Sequence, residues 1–357
     1  MKTSQTTDKA AGMPRREFLQ YLGAGAVGLA LTGRSARAQS DSAAAPAAAP
    51  APWSQGPKEL KGLFPIAQTP FTEDNKLDLD SLTAQVTFCN KGGVHGLIWP
   101  QIASGWTTLT EPERMAGAEA LVGAGKGGNA AIVIGVQGAD IGAVSRYAQQ
   151  AAKLGADAIV SLPPAGVDDE KVLLDYYQQV GKMTDLPLFV QSQGKMSVDL
   201  IVEMFNTIPT MRHVKDEAGE PLERVTELRQ KTNDQLIVFS GKGVRTLIAE
   251  MELGFWGHCP YTALADVYAA SYNLWHGGQK QEAFDMFGRV LAFDSLGTSS
   301  GTDVLIARGV FKRTNTFRPT PPVPGGPSGG PLRISRHLTK KQIREAVELY
   351  IKPHVMA

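Results

Sequence analysis

The chain has 357 residues, room for one large or two ordinary domains at about 150 residues each. Hydrophobic residues make up 43% and charged residues 20%, so it can bury a full-sized core and is not intrinsically disordered. Thirty-six Lys and Arg against 35 Asp and Glu leave a formal net charge of +1, which excludes a strongly basic nucleic-acid binder and an acidic tail protein. Two cysteines, Cys89 and Cys259, cannot make a disulfide framework or a structural zinc site alone.

The first segment reads as an address. Arg15-Arg16-Glu17-Phe18-Leu19 precedes an apolar stretch from Tyr21 to Thr32, and Ala36-Arg37-Ala38 places small residues where a signal peptidase reads. This pattern predicts a twin-arginine export signal over residues 1–38, cleaved after Ala38, and a periplasmic location. The apolar run is too short and glycine-rich for a membrane span of about 20 residues, so no membrane association is expected after cleavage. Gly23, Gly25 and Gly28 spell GxGxxG here, but no strand precedes them, and the dinucleotide reading fails. Residues 39–57 form an Ala/Pro-rich linker in which 43–52 contain nothing else.

From Lys58 onward short apolar runs alternate with helical patterns. The runs are Gly62 to Phe71, Gly96 to Gln101, Ala131 to Gly138, Ala158 to Pro164, Leu186 to Ser192, Met211 to Glu217, Leu236 to Lys242 and Gly254 to Pro260. Helices are expected between them, for example over Leu79 to Lys91, Glu111 to Ala124 and Ile141 to Leu154. Continuous apolar strands imply a parallel sheet covered on both faces, and eight such units in roughly 200 residues imply an α/β fold of the (β/α)₈ TIM-barrel type. The barrel is expected over residues 58–275. A helical extension over 276–357 follows, with a Pro/Gly-rich loop at 318–331 and a last amphipathic helix over Thr339 to Ile351.

Chemistry in such barrels sits at the C-terminal ends of the strands. Those ends supply Gln68, Thr69, Gln101, Gln137, Gln191, Lys215, Lys242 and His258, with Lys195 just beyond strand 5. A lysine in a dry barrel mouth near other cations can lose its proton and attack a carbonyl, so Lys215 is the candidate nucleophile, with Lys195 and Lys242 as the cations. The alternative is a salt bridge to Asp216 or Glu217. Strand alternation points Asp216 away from the Lys215 face. His213 shares that face and reads as a packed core histidine, the alternative being a substitute base under the amine. The glutamines offer donors and acceptors without charge, which suits a hydroxylated or amide-bearing ligand. No His, Cys or carboxylate spacing suggests a metal, and no cofactor is implied. Cys89 and Cys259 fall at opposite ends of the barrel and are expected to be free.

The order of short signals resembles the dihydrodipicolinate synthase / N-acetylneuraminate lyase family of class I aldolases. The resemblance rests on Thr69-Pro70-Phe71, Thr108-Leu109-Thr110-Glu111, Gly155-Ala156-Asp157-Ala158, Asp185-Leu186-Pro187, Val214-Lys215-Asp216-Glu217-Ala218-Gly219 and Phe239-Ser240-Gly241. It implies that Lys215 forms a Schiff base with pyruvate or a related 2-keto acid, and that the chain forms a homo-oligomer. The chain also departs from the family. The turn whose threonine hydroxyls bind the keto-acid carboxylate and relay protons falls on Gln101-Ile102-Ala103-Ser104-Gly105. The acid/base tyrosine of strand 5 falls on Gln191, and the paired tyrosines after strand 4 fall on Ala165-Gly166. An amide has no useful pKa for proton transfer. The expectation is therefore a divergent, exported lyase acting on a 2-keto acid or sugar acid through Lys215. The rival reading is a periplasmic binding protein that kept the fold and lost turnover.

Overall fold

The computed structural model describes residues 58–241, 244–296, 301–319 and 338–355. The expected signal, the linker, Lys242 and residues 320–331 of the Pro/Gly-rich loop lie outside the described residues.

Eight parallel strands alternate with helices: β1 (Gly62–Leu63), α1 (Leu79–Lys91), β2 (Gly96–Trp99), α2 (Glu111–Gly125), β3 (Ala131–Gly135), α3 (Ile141–Leu154), β4 (Ala158–Ser161) and α4 (Glu170–Gly181). The order continues through β5 (Leu188–Gln191), α5 (Val198–Thr207), β6 (Met211–Asp216), α6 (Pro221–Lys231), β7 (Ile237–Ser240), α7 (Leu247–Leu253), β8 (Gly257–His258) and α8 (Ala265–His276). Sheet order is β1-β8-β7-β6-β5-β4-β3-β2. The ring closes just past β1, where Ile66 bridges both Ile98 and Tyr261 and the Ala67 N–H donates to the Ile98 carbonyl at 3.0 Å. The fold is a (β/α)₈ barrel, followed by α9 (Lys280–Ser295), α10 (Gly301–Ala307) and α11 (Lys340–Ala346).

Local chemistry sets the boundaries. Asp78 and Asp140 cap α1 and α3 through their carboxylates, and Thr110 with Glu113 forms a capping box on α2. β1 and β8 are far shorter than the apolar runs that contain them. Pro65, Pro70 and Pro260 carry no N–H for a ladder, so pairing beyond two residues is intermittent. The apolar stretch around Trp275 to Phe293 is two helices, because α8 ends at His276 and Gly278 turns the chain at φ +85°.

Period-two alternation divides the strand residues between two cores. Phe64, Ile66, Ile98, Ala131, Val133, Ala158, Val160, Phe189, Phe239 and Cys259 fill the barrel, while Leu97, Ile132, Ile159, Val190, Val214 and Val238 pack outward against the helices. Phe64 and Phe189 meet the Phe239 ring at centroid distances of 5.2 and 5.1 Å. The space comes from Gly257, where a Cβ would stand 2.1 Å from the Phe239 ring.

One irregularity decides what faces inward on β6. Leu188 is paired with Met211, but Phe189 is paired with His213, so Arg212 is an extra residue that bulges out and is exposed. Met211 belongs to the outer core, and regular alternation from it would turn Lys215 outward as well. The bulge reverses the alternation, and His213, Lys215 and Glu217 take the inner face.

Candidate active site

Lys215 is buried near the C-terminal end of β6, its side chain 5% exposed, beside Gln191 on the neighbouring strand. Its Nζ lies 2.7 Å from Glu217 Oε1. The other carboxylate oxygen, Oε2, accepts a hydrogen bond from Gln191 Nε2 at 2.8 Å. This bond fixes the Gln191 amide, since a carboxylate requires a donor, and leaves Gln191 Oε1 buried without a partner among the described residues. Gly241, just past β7, makes the room: a Cβ there would stand 2.3 Å from Glu217 Oε1. Cys259 completes this corner, and burial pushes its thiol up to about 12.

The outer face of the same strand end holds this arrangement in place. Ser192 Oγ donates to Asp216 Oδ1 and accepts from the Glu217 and Ala218 backbone N–H groups at 3.0 and 3.1 Å. Arg224 Nε donates to Asp216 Oδ2 at 3.1 Å, and Arg224 also donates to the Met196 carbonyl at 2.8 Å. Burial raises the Asp216 carboxyl against the opposing pull of Arg224 and Ser192. Asp216 thus faces the helices, as alternation predicts, and Glu217 faces the mouth.

Of the two expected cations, Lys242 lies outside the described residues. Lys195 is exposed on the turn after β5, and the charge in contact with Nζ is the carboxylate of Glu217. Glu217 entered the sequence reading only as an alternative salt-bridge partner of Lys215, and that pair is present, buried rather than at the surface. Its signal was its place two residues after Lys215, hence on the same face of a strand.

The amides divide into two groups. Gln101 and Gln137 lie buried together: Gln101 Nε2 donates to Gln137 Oε1 at 3.3 Å and Gln137 Nε2 to the Pro100 carbonyl at 2.8 Å. Gln101 Oε1, like Gln191 Oε1, has no partner among the described residues. Two buried acceptors thus await donors. Gln68 turns back to the carbonyl of Ile66, at 3.3 Å, and its backbone is held by Gln85 of α1. The Thr69 hydroxyl donates to the Ser104 carbonyl at 2.6 Å and accepts from the Trp99 indole at 2.9 Å, a framework role under the β2–α2 turn. His213 stacks on Phe189 at 4.2 Å and 8°, and burial pushes its imidazole down to about 3, so it packs as a neutral core residue. His258 faces outward and pairs with Glu250 of α7 at 2.7 Å. Cys89 and Cys259 are both free and buried.

Residues 59–295 match the dihydrodipicolinate synthetase family. The chain belongs to this family. It is 26% identical over 301 residues to N-acetylneuraminate lyase of Rhizobium meliloti, covering 81% of this chain and 95% of that one. It is 23% identical over 194 residues to 4-hydroxy-tetrahydrodipicolinate synthase of Methanosarcina mazei, covering 53% of this chain but only 65% of that protein. Similar folds include dihydrodipicolinate synthase from Rhodopseudomonas palustris, with a TM-score of 0.68 and 22% identity over 81% of this chain and 97% of that one. Another is YagE, a prophage protein of the same family from E. coli K12 solved in complex with pyruvate, with a TM-score of 0.67 and 20% identity over 81% and 98% of the two chains.

Proposed function

We propose that the chain is a lyase of the class I aldolase type whose Lys215 amine forms an imine with a 2-keto acid. The observation that carries this reading is the burial of Lys215 on the inner face at the C-terminal end of β6, in a member of a family with lyases among its relatives. An amine there attacks the ketone carbon, and the resulting protonated imine draws electrons from the adjacent carbon, so a bond at that carbon can be made or broken. The unpartnered oxygens of Gln101 and Gln191 support a substrate carrying hydroxyl or N–H donors, as a sugar acid does. Gln191 stands where the family's tyrosine would act, and little dihydrodipicolinate synthase turnover is expected, since a positioned acid/base contributes roughly 10²–10⁴-fold.

Reductive trapping tests the proposal. Incubation with pyruvate or a longer 2-keto acid and borohydride is expected to add covalent mass to the peptide carrying Lys215, and Lys215→Ala to abolish the adduct. Saturable ligand binding with no adduct on the wild type would instead establish the binding-protein reading.

A further inference from the structure

We propose that Glu217 is the proton-transfer group of this site, taking the proton from Lys215 and returning it to the substrate; the inference rests on the imine-forming reading above. The geometry is specific to this task. Glu217 Oε1 is 2.7 Å from the atom that must become a free amine, and its side chain, 16% exposed against 5% for Lys215, lies on the entry side of it. Its second oxygen is held by Gln191 at 2.8 Å, a donor that neither gives up nor accepts a proton. Its backbone N–H is fixed by Ser192, and Gly241 keeps the space it occupies clear. The carboxylate is thus presented by three neighbours from β5 to β7, each doing a separate job. Cys259, which also lies in this corner, stays a protonated thiol because burial pushes it up to about 12.

A purely structural ion pair is a weak account of the same contacts. Two charges taken out of water at a barrel mouth add little net stability, since desolvation cancels most of the attraction. Proton transfer makes use of both partners. Glu217 removes a proton from the Lys215 ammonium, and the freed lone pair forms the N–C bond to the keto carbon. The carbonyl oxygen takes up a proton from the attacking nitrogen, which gives a neutral carbinolamine. Glu217 then gives its proton to the carbinolamine hydroxyl, which leaves as water as the C=N bond forms. The carboxylate is regenerated, and the positive charge ends on the imine nitrogen beside it, where it replaces the ammonium as the ionic partner. Gln191 and the Gln101–Gly105 turn stand at the positions of the family's hydroxyl relay, and the carboxylate two residues after the lysine, just past the end of β6, supplies the acid/base function in its place.

The test is the rate of borohydride-trapped adduct formation at Lys215 with pyruvate as probe. In Glu217→Gln, which keeps shape and the contact to Gln191, the rate is expected to fall by roughly 10²-fold or more. In Glu217→Ala, added formate is expected to restore part of the rate in a concentration-dependent way by entering the vacated space. Trapping in Glu217→Gln within threefold of the wild type, or no response of Glu217→Ala to formate, would overturn this assignment alone. No trapping in the wild type itself would overturn the imine reading and this inference with it.

Discussion

An alanine at position 241 would set its methyl carbon 2.3 Å from Glu217 Oε1 and 2.5 Å from its Cγ, closer than packed atoms allow. The carboxylate sits at the end of a flexible side chain, so it would swing away while the backbone stays. Gly241→Ala is therefore expected to slow adduct formation at Lys215 at least tenfold, with a thermal midpoint close to that of the wild type. A variant with an unchanged rate would mean that Glu217 can serve from a second position. His213 gives a separate expectation at the same scale. Its unfolded pKa is about 6.5, whereas burial holds the folded imidazole at about 3. Below pH 6.5 the unfolded chain binds a proton that the native state refuses, so stability falls as pH falls and stops falling near pH 3. Each unit in that window costs about 1.4 kcal/mol. Between pH 7 and pH 5 the wild type is therefore expected to lose about 2 kcal/mol more than His213→Phe in urea titrations. Equal losses would place the acid sensitivity elsewhere.

Helices α1 and α3 were legible to the residue, since the caps Asp78 and Asp140 sit where the apolar period begins and glycines follow where it stops. Strand ends were less legible. Prolines inside the first and last apolar runs cut β1 and β8 to two residues, and nothing local marks the extra residue in β6. The site was half legible for the same reason. Lys215 stood out by type and place, but its contact with Glu217 depends on which face the strand turns inward. The attachment of the C-terminal helices was not legible at all, because it rests on pairs distant in sequence. Arg308, just after α10, grips Asp266 at the start of α8 with both guanidinium nitrogens, one at 2.7 Å from Oδ1, and both side chains are 1% exposed. Breaking a buried pair strands the surviving charge. Asp266→Ala is expected to cost about 3–5 kcal/mol in equilibrium unfolding; a loss below about 1 kcal/mol would show that the arginine finds another partner.

On the scale of the whole molecule, the C-terminal extension reaches back to the rim at the C-terminal ends of the strands. Thr316 pairs with Phe71 past the end of β1, and Arg318 donates to the carbonyls of Asn75 and Thr108 and to both oxygens of Glu113. The loops after β1 and β2 are thereby tied to a segment more than 200 residues away. The bulge at Arg212 has a consequence of the same reach. A strand has only two settings, odd residues in or even residues in, and the chemistry of this barrel occupies one of them on β6. Deleting Arg212 itself would leave this parity intact, because Met211 opposite Leu188 and His213 opposite Phe189 would then follow each other in regular alternation. Deleting Val214, which lies between the bulge and Lys215, would exchange the two sets beyond it and bury Lys215 and Glu217 against the helices with no route for a substrate. What the chain does therefore hangs on parity as well as on residue type, so a one-residue deletion between the bulge and Lys215 would do more damage than most substitutions.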